Sequence, residues 1–163
     1  RFGYACVNFG APISTRGELE RLGVDLRKLS REERFVRVAE LAERWMSAVG
    51  AVVPVLPVSL VATVFAHSSS ESPDQALSLL EVKSRVQKLI QELREHGAAV
   101  YVPRRDGDYA ITVGLRMLTL RHLVSERDGL YRPVPEELPV LTYYANSIRH
   151  LLPRTEADPA PVA

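Results

Sequence analysis

From Trp45 to Ala66 no residue carries a charge, and two prolines, Pro54 and Pro57, interrupt that apolar run. Few folds accommodate such a stretch. Its length alone would allow a membrane span, but proline inside a helix costs about 3 kcal/mol, and Gly50 adds a further break. The pattern predicts an extended Val52-Val53-Pro54-Val55-Leu56, followed by a helix with Pro57 at its first position. There the missing N–H is no loss, because the first turn has no acceptor for it. Three surroundings are open to residues 52–66: the protein interior, the membrane interface, or a bilayer. The prolines favour the interior.

Local signals organise the sequence on either side. Residues 4–9 read as a short strand running into a turn at Gly10 and Pro12. Ser14 caps a brief helix over 15–22 that Gly23 stops. Ser30-Arg31-Glu32-Glu33 has capping-box form. The helix it opens places Phe35, Val38, Ala39, Ala42, Trp45, Met46 and Val49 at helical spacing, an apolar stripe expected to face a core, and Gly50 ends it.

After the serine-rich loop 68–73, two helix starts compete, Ser72 with Gln75 and Ser78 with Glu81. The helix to His96 carries a stripe of Leu79, Val82, Val86, Leu89, Ile90 and Leu93, with Gly97 as its stop. Ala98–Val102 reads as a strand, 104–108 as a turn and 109–123 as an amphipathic helix with Ile111, Leu115, Leu118 and Leu123 on its apolar side. Asp128-Gly129 marks a hairpin. A last helix is expected over 137–152, and a proline- and alanine-rich tail over 153–163 is expected to be disordered.

Composition narrows the chemistry. With 163 residues, 46% hydrophobic and 25% charged, the chain can bury one core without staples. Twenty-one Lys and Arg against 20 Asp and Glu leave +1, far from the excess that bulk nucleic-acid binding needs. The single Cys6 excludes a disulfide framework and any CxxC site. None of His67, His96, His122 and His150 stands in an HExxH pattern, and no GxSxG, GxGxxG or P-loop occurs. His96 and His122 fall at helix ends, where an imidazole serves the helix dipole, and His67 reads as a cap.

Two constellations have rival interpretations. Tyr143, Asn146 and His150, with Tyr144 beside them, are spaced to share a helix face. They can hydrogen-bond a polar ligand or lock the helix into the body of the protein. Residues 97–130 have the outline of a winged helix, in which Arg104 and Arg105 would touch phosphates. Glu81, Glu92 and Glu95 on the preceding helix oppose that use.

The first residue is Arg1, no methionine precedes Met46, and Tyr4–Phe9 reads like an interior strand without neighbours, so a piece of a larger protein is expected. Three stretches carry a resemblance: Val7-Asn8-Phe9-Gly10-Ala11-Pro12-Ile13-Ser14; Val53-Pro54-Val55-Leu56-Pro57-Val58-Ser59-Leu60-Val61-Ala62-Thr63; and Tyr143-Tyr144-Ala145-Asn146-Ser147-Ile148-Arg149-His150. Together they make the chain resemble the C-terminal part of the bacterial membrane-associated glycerol-3-phosphate acyltransferases, over residues 1 to about 152.

The resemblance implies an α+β, mostly helical fold: the final strand of an acyltransferase α/β sheet within 1–16, then a helical domain over 17–152 with a small hairpin element. It implies acyl transfer from acyl-CoA or acyl-carrier protein to the 1-hydroxyl of glycerol 3-phosphate. It implies no further cofactor and a peripheral place on the cytoplasmic side of the membrane. The expected partners are the missing N-terminal part of the enzyme, its two substrates and the membrane surface, with no nucleic acid.

In that family a histidine followed five residues later by aspartate activates the hydroxyl. Five residues after the four histidines stand Ser72, Tyr101, Arg127 and Thr155, and no Gly-Thr-Arg-Ser type of block occurs. The resemblance therefore assigns no catalytic, cofactor or metal residue to this chain. The family's last helix often has arginine and asparagine where Ala145 and Ser147 stand, which leaves the role of Tyr143, Tyr144, Asn146 and His150 open.

Overall fold

The computed structural model describes residues 4–72 and 75–153, leaving aside the side chain of Glu71. The expected tail thus lies, except for Pro153, outside the described residues. Two units are formed, one of Val7–Val53 and one of Arg1–Cys6 with Pro54–Ala163.

The first unit holds α1 (Thr15–Leu22) and α2 (Arg31–Ala51). Ser14 Oγ accepts from Gly17 N at 3.2 Å to open α1, and Gly23 closes it at φ 66°. The capping box at α2 forms as its sequence predicts: Glu33 N donates to Ser30 Oγ at 3.2 Å and Ser30 N to Glu33 Oε2 at 2.9 Å. The expected burial of the α2 stripe does not occur. Phe35 is 64% exposed and Met46 68%, with Val38 and Val49 open as well, and Leu41 is the buried residue of this helix. A helical stripe states that a face needs cover; it does not supply the cover. Tyr4–Phe9 forms no strand, because a strand exists only against a partner and none pairs with it among the described residues. Asn8 instead donates its side-chain amide to Val52 O at 3.1 Å.

In the second unit α3 (Pro57–Glu71) is the central element, with Pro57 at its first turn as expected. Leu60, Val61, Ala62, Val64 and Phe65 are all buried in the protein's own core. Its buried hydroxyls all have partners, Thr63 Oγ1 donating to Ser59 O at 2.8 Å, Ser68 Oγ to Gln75 Oε1 at 3.0 Å, and Ser59 Oγ meeting Ser147 Oγ at 2.8 Å, so the polar atoms do not oppose burial. No helix among the described residues is long and apolar enough to cross a membrane.

Around α3 lie β1 (Leu77–Ser78), α4 (Leu79–Glu95), α5 (Gly107–Leu120), β2 (Val124–Arg127), β3 (Leu130–Pro133) and α6 (Leu138–Asn146). Of the two competing starts, Ser78 with Glu81 opens α4. Its stripe is buried from Val82 to Leu93, whereas Leu79 is 40% exposed. The strand expected at Ala98–Val102 shrinks to one parallel bridge, Val55 with Val100. Val55 stands directly after Pro54 and two residues before Pro57, and prolines donate nothing with which to extend a ladder.

The three strands form an antiparallel sheet in the order β1-β3-β2, with Leu77 opposite Tyr131 and Val124 opposite Pro133. Asp128 and Gly129 both take positive φ, 54° and 75°, the turn geometry that matches strand twist. The chain is α+β and mostly helical, as expected, and α3-β1-α4-α5-β2-β3 traces the winged-helix outline. In that outline α5, rather than the 79–96 helix, precedes the hairpin. Its solvent side presents Asp108, Thr112, Arg116 and Leu120, with no stripe of cations for phosphates to meet.

Both capping boxes make stability depend on pH. Hydrogen bonds from Ser30 hold the Glu33 carboxyl below its ordinary range, and hydrogen bonds from Ser78 do the same for Glu81. A depressed carboxyl contributes stability above its unfolded-state value and loses it as pH falls through the folded one. Acid titration below the ordinary glutamate range is therefore expected to lower the midpoint of urea unfolding. The E33Q/E81Q variant, with no carboxyl to titrate at either cap, should flatten that acid limb while starting from a lower plateau at neutral pH. An unchanged limb in the variant would place the acid sensitivity elsewhere.

Candidate functional site

Three helices of the second unit each present a stripe at i, i+3, i+4 and i+7 to one trough. From α3 come Thr63, Ala66, His67 and Ser70; from α4, Arg85, Lys88, Leu89 and Glu92; from α6 and the turn beyond it, Thr142, Ala145, Asn146 and Arg149. Residues at this spacing share a helix face, so the trough follows directly from three helices packed side by side. It encloses about 780 Å³, with Val64, Leu152 and Pro153 completing the wall.

The floor is apolar and the rim is polar. Val64, Leu89 and Ala145 are buried at 5, 7 and 8% exposure, while His67, Lys88, Asn146 and Arg149 reach solvent. The charged side chains of the lining are Arg85, Lys88, Glu92 and Arg149. Lys88 Nζ lies 3.9 Å from Glu92 Oε1, but the lysine side chain is 79% exposed, and such pairs contribute little. Ser70 Oγ donates to Ala66 O at 3.0 Å. Among the described residues no three His, Cys, Asp or Glu side chains are grouped to hold a metal.

The face expected of Tyr143, Asn146 and His150 is not assembled. The helix expected over 137–152 ends at Asn146, and Arg149–Leu151 form a separate 3-10 turn. The break sits at Ser147, whose hydroxyl donates to Tyr144 O at 2.7 Å and meets Ser59 Oγ at 2.8 Å. A serine that bonds its own backbone competes with helix continuation. Asn146 reaches the trough; Tyr143 is 76% exposed with its ring edge toward Tyr144, centroids 6.1 Å apart, and His150 lies on the exposed 3-10 turn. Tyr144 Oη accepts from Arg121 Nη1, and the guanidinium stands 5.5 Å from its ring centroid. Tyr144 thus ties α6 to Arg121, the residue that follows α5.

The other histidines divide similarly. His96 Nδ1 lies 2.8 Å from Glu92 O at the end of α4, the helix-end role expected of it. His122 follows α5 at φ 59°. His67, read as a cap, lines the trough instead. Arg85, Lys88 and Arg149 carried no signal when single segments were considered, although their stripes were present in the sequence.

Fold and trough define the class: a helical region built on an apolar central helix, gathering cations, hydroxyls and an amide at one groove. The chain belongs to the family described as glycerol-3-phosphate acyltransferase C-terminal region, which matches residues 1–155. No curated protein and no solved structure gives a significant match.

Proposed function

We propose that this chain is the buttressing C-terminal segment of an enzyme that moves a fatty acyl group from acyl-CoA or acyl-carrier protein to the 1-hydroxyl of glycerol 3-phosphate. The observation that carries the proposal is the family match over residues 1–155 in a chain without a His-to-Asp pair at the family's spacing. The general base and the phosphate-gripping arginine then belong to the part that precedes this region in the enzyme. An acyl thioester is already activated, so the reaction calls for no further cofactor. The enzyme's setting would be the cytoplasmic surface of the membrane.

The Val7–Val53 unit supplies the docking face in this proposal. Phe35, Val38, Met46 and Val49 form an apolar stripe open to solvent, and Val7 and Phe9, 76 and 93% exposed, stand on either side of Asn8, whose side chain bonds Val52 O. The occupant proposed is the acyltransferase part of the same polypeptide. Among the described residues no backbone hydrogen bond is found for Val7–Phe9, and when that backbone leaves water a sheet edge supplies partners whereas hydrocarbon does not.

The test compares acyl transfer to glycerol 3-phosphate by the isolated 163-residue chain and by the chain joined to its acyltransferase part. The chain alone is expected to show none and the joined protein to turn over. Turnover by the isolated chain would refute the placement of catalysis upstream.

A further inference from the structure

Three tyrosine rings and one guanidinium gather on the helical unit from separate places in the sequence. Tyr4 belongs to this unit together with Pro54 and the residues after it. Its ring stands edge-on to Tyr101, with centroids 5.3 Å apart and planes at 61°. Arg104 lays its guanidinium over the Tyr109 ring, 4.3 Å from the centroid. A hydrogen bond with Tyr109 holds the Tyr4 hydroxyl above its ordinary pKa. Tyr4 is accordingly 37% exposed, against 76% for Val7 and 93% for Phe9.

The backbone sets each member of the cluster in place. Tyr101 N donates to Val55 O at 3.0 Å, beside the Val55–Val100 bridge. Arg104 and Arg105 take φ 57° and 56°, left-handed conformations that side chains other than glycine seldom adopt. Arg105 N on Val102 O at 3.1 Å and Asp106 N on Pro103 O at 3.2 Å close that turn. Asp106 then caps α5 by accepting from Tyr109 N at 3.0 Å, which puts Tyr109 in the first turn of the helix.

We infer that Tyr101, Arg104 and Tyr109 form a seat for the Tyr4 ring, and that this seat fastens to the helical unit the chain leading in from the acyltransferase part. The seat stands on the geometry alone, whereas the identity of what leads into it rests on the proposed function. Edge-to-face rings attract beyond their buried area, and a guanidinium over an aromatic face adds to that attraction. Tyr4 is thus held by its side chain although no strand forms there. A buttress needs a fixed point on the chain that joins it to its neighbour, and Tyr4 supplies one just ahead of the open Val7–Phe9.

Chymotrypsin reads the seat directly, because the protease must take the Tyr4 ring into its own apolar pocket before it cuts the Tyr4–Ala5 bond. At low protease the cut reports the fraction of molecules in which Tyr4 is released. Phe9–Gly10 is the exposed reference in the same chain, and a peptide of residues 1–13 gives the intrinsic ratio of the two cuts. Relative to that peptide, the 163-residue chain is expected to be cut after Tyr4 at least about tenfold more slowly than after Phe9. Y101A/Y109A should raise the Tyr4 cut about tenfold and leave the Phe9 cut unchanged. Arg104→Gly suits the left-handed backbone while removing the guanidinium. It should raise the Tyr4 cut several-fold, and it keeps the seat testable if the double variant fails to fold.

In the protein joined to its acyltransferase part, Tyr4 should be protected and Arg104→Gly should again speed the cut. Equal normalised rates after Tyr4 and Phe9, or protection unmoved by both seat variants in the isolated chain, would overturn the seat. Protection in the joined protein that ignores Arg104→Gly would show that the acyltransferase part, and not the seat, holds this segment. Acyl transfer by the isolated chain would refute the placement of catalysis and leave the cleavage rates as they stand.

Discussion

Gly114→Ala is expected to lower the stability of the helical unit by about 2 kcal/mol, and Gly114→Val by more. A Cβ at this position would stand 2.4 Å from Pro57 O, 2.8 Å from Pro57 C and 2.9 Å from Val61 Cγ2. The first two neighbours are backbone at the start of α3 and have no rotamer to change. Relief requires α3 and α5 to move apart, which opens the contact that buries Val61, Ile111 and Leu118. Overpacking of this kind costs about 1–3 kcal/mol and sometimes more. Alanine's better helix propensity returns about 1 kcal/mol, so a backbone clash at the upper end sets the net. In a chain of this size that corresponds to a fall in Tm of about 4–8 °C. Urea and thermal unfolding of the two variants provide the measurement. A Gly114→Ala protein as stable as the parent would show that the helices are not held at this spacing.

Gly114 lies within the stretch read as amphipathic helix, yet nothing in its sequence neighbourhood distinguishes it from a glycine tolerated at modest cost. The distinction lies in Pro57, far away along the chain. The features legible from sequence were the local ones. Ser30 with Glu33, Ser78 with Glu81, Pro57 at a first turn and Asp128-Gly129 each act through atoms within a few residues, so their spacing is their geometry.

What sequence concealed depends on remote partners. The helix after Leu138 stops because Ser147 finds Tyr144 O and Ser59 Oγ, the second of these on α3. The trough combines stripes centred near residues 66, 88 and 146, each unremarkable alone, and it exists only where three helices pack together. Family likeness came from apolar and aromatic stretches that mark the fold, whereas the polar residues gathered at the trough, Thr63, Asn146 and Arg149 apart, lie outside those stretches.

Two phenylalanines make the same point with opposite expected results. Phe65 and Phe35 both stand in helices whose apolar spacing predicts burial. Phe65 is 0% exposed at the centre of the core, so Phe65→Ala should cost about 3–5 kcal/mol and remove cooperative unfolding under mild denaturant. Phe35 is 64% exposed, with the Arg31 guanidinium 5.7 Å from its ring centroid. Phe35→Ala should change the stability of the isolated chain by no more than about 0.5 kcal/mol, the usual range for surface substitutions. The effect of Phe35 should emerge only when the acyltransferase part is present. If the α2 stripe is the docking face, F35E/M46E should leave the isolated chain folded but weaken its association with a separately produced acyltransferase part, with acyl transfer falling in parallel. A carboxylate placed against an apolar partner surface must be desolvated without a counter-ion, so the loss should exceed tenfold, about 1.4 kcal/mol. Unchanged association in F35E/M46E would remove α2 from the interface. A large loss of stability in Phe35→Ala would show instead that this stripe already has its cover within the chain.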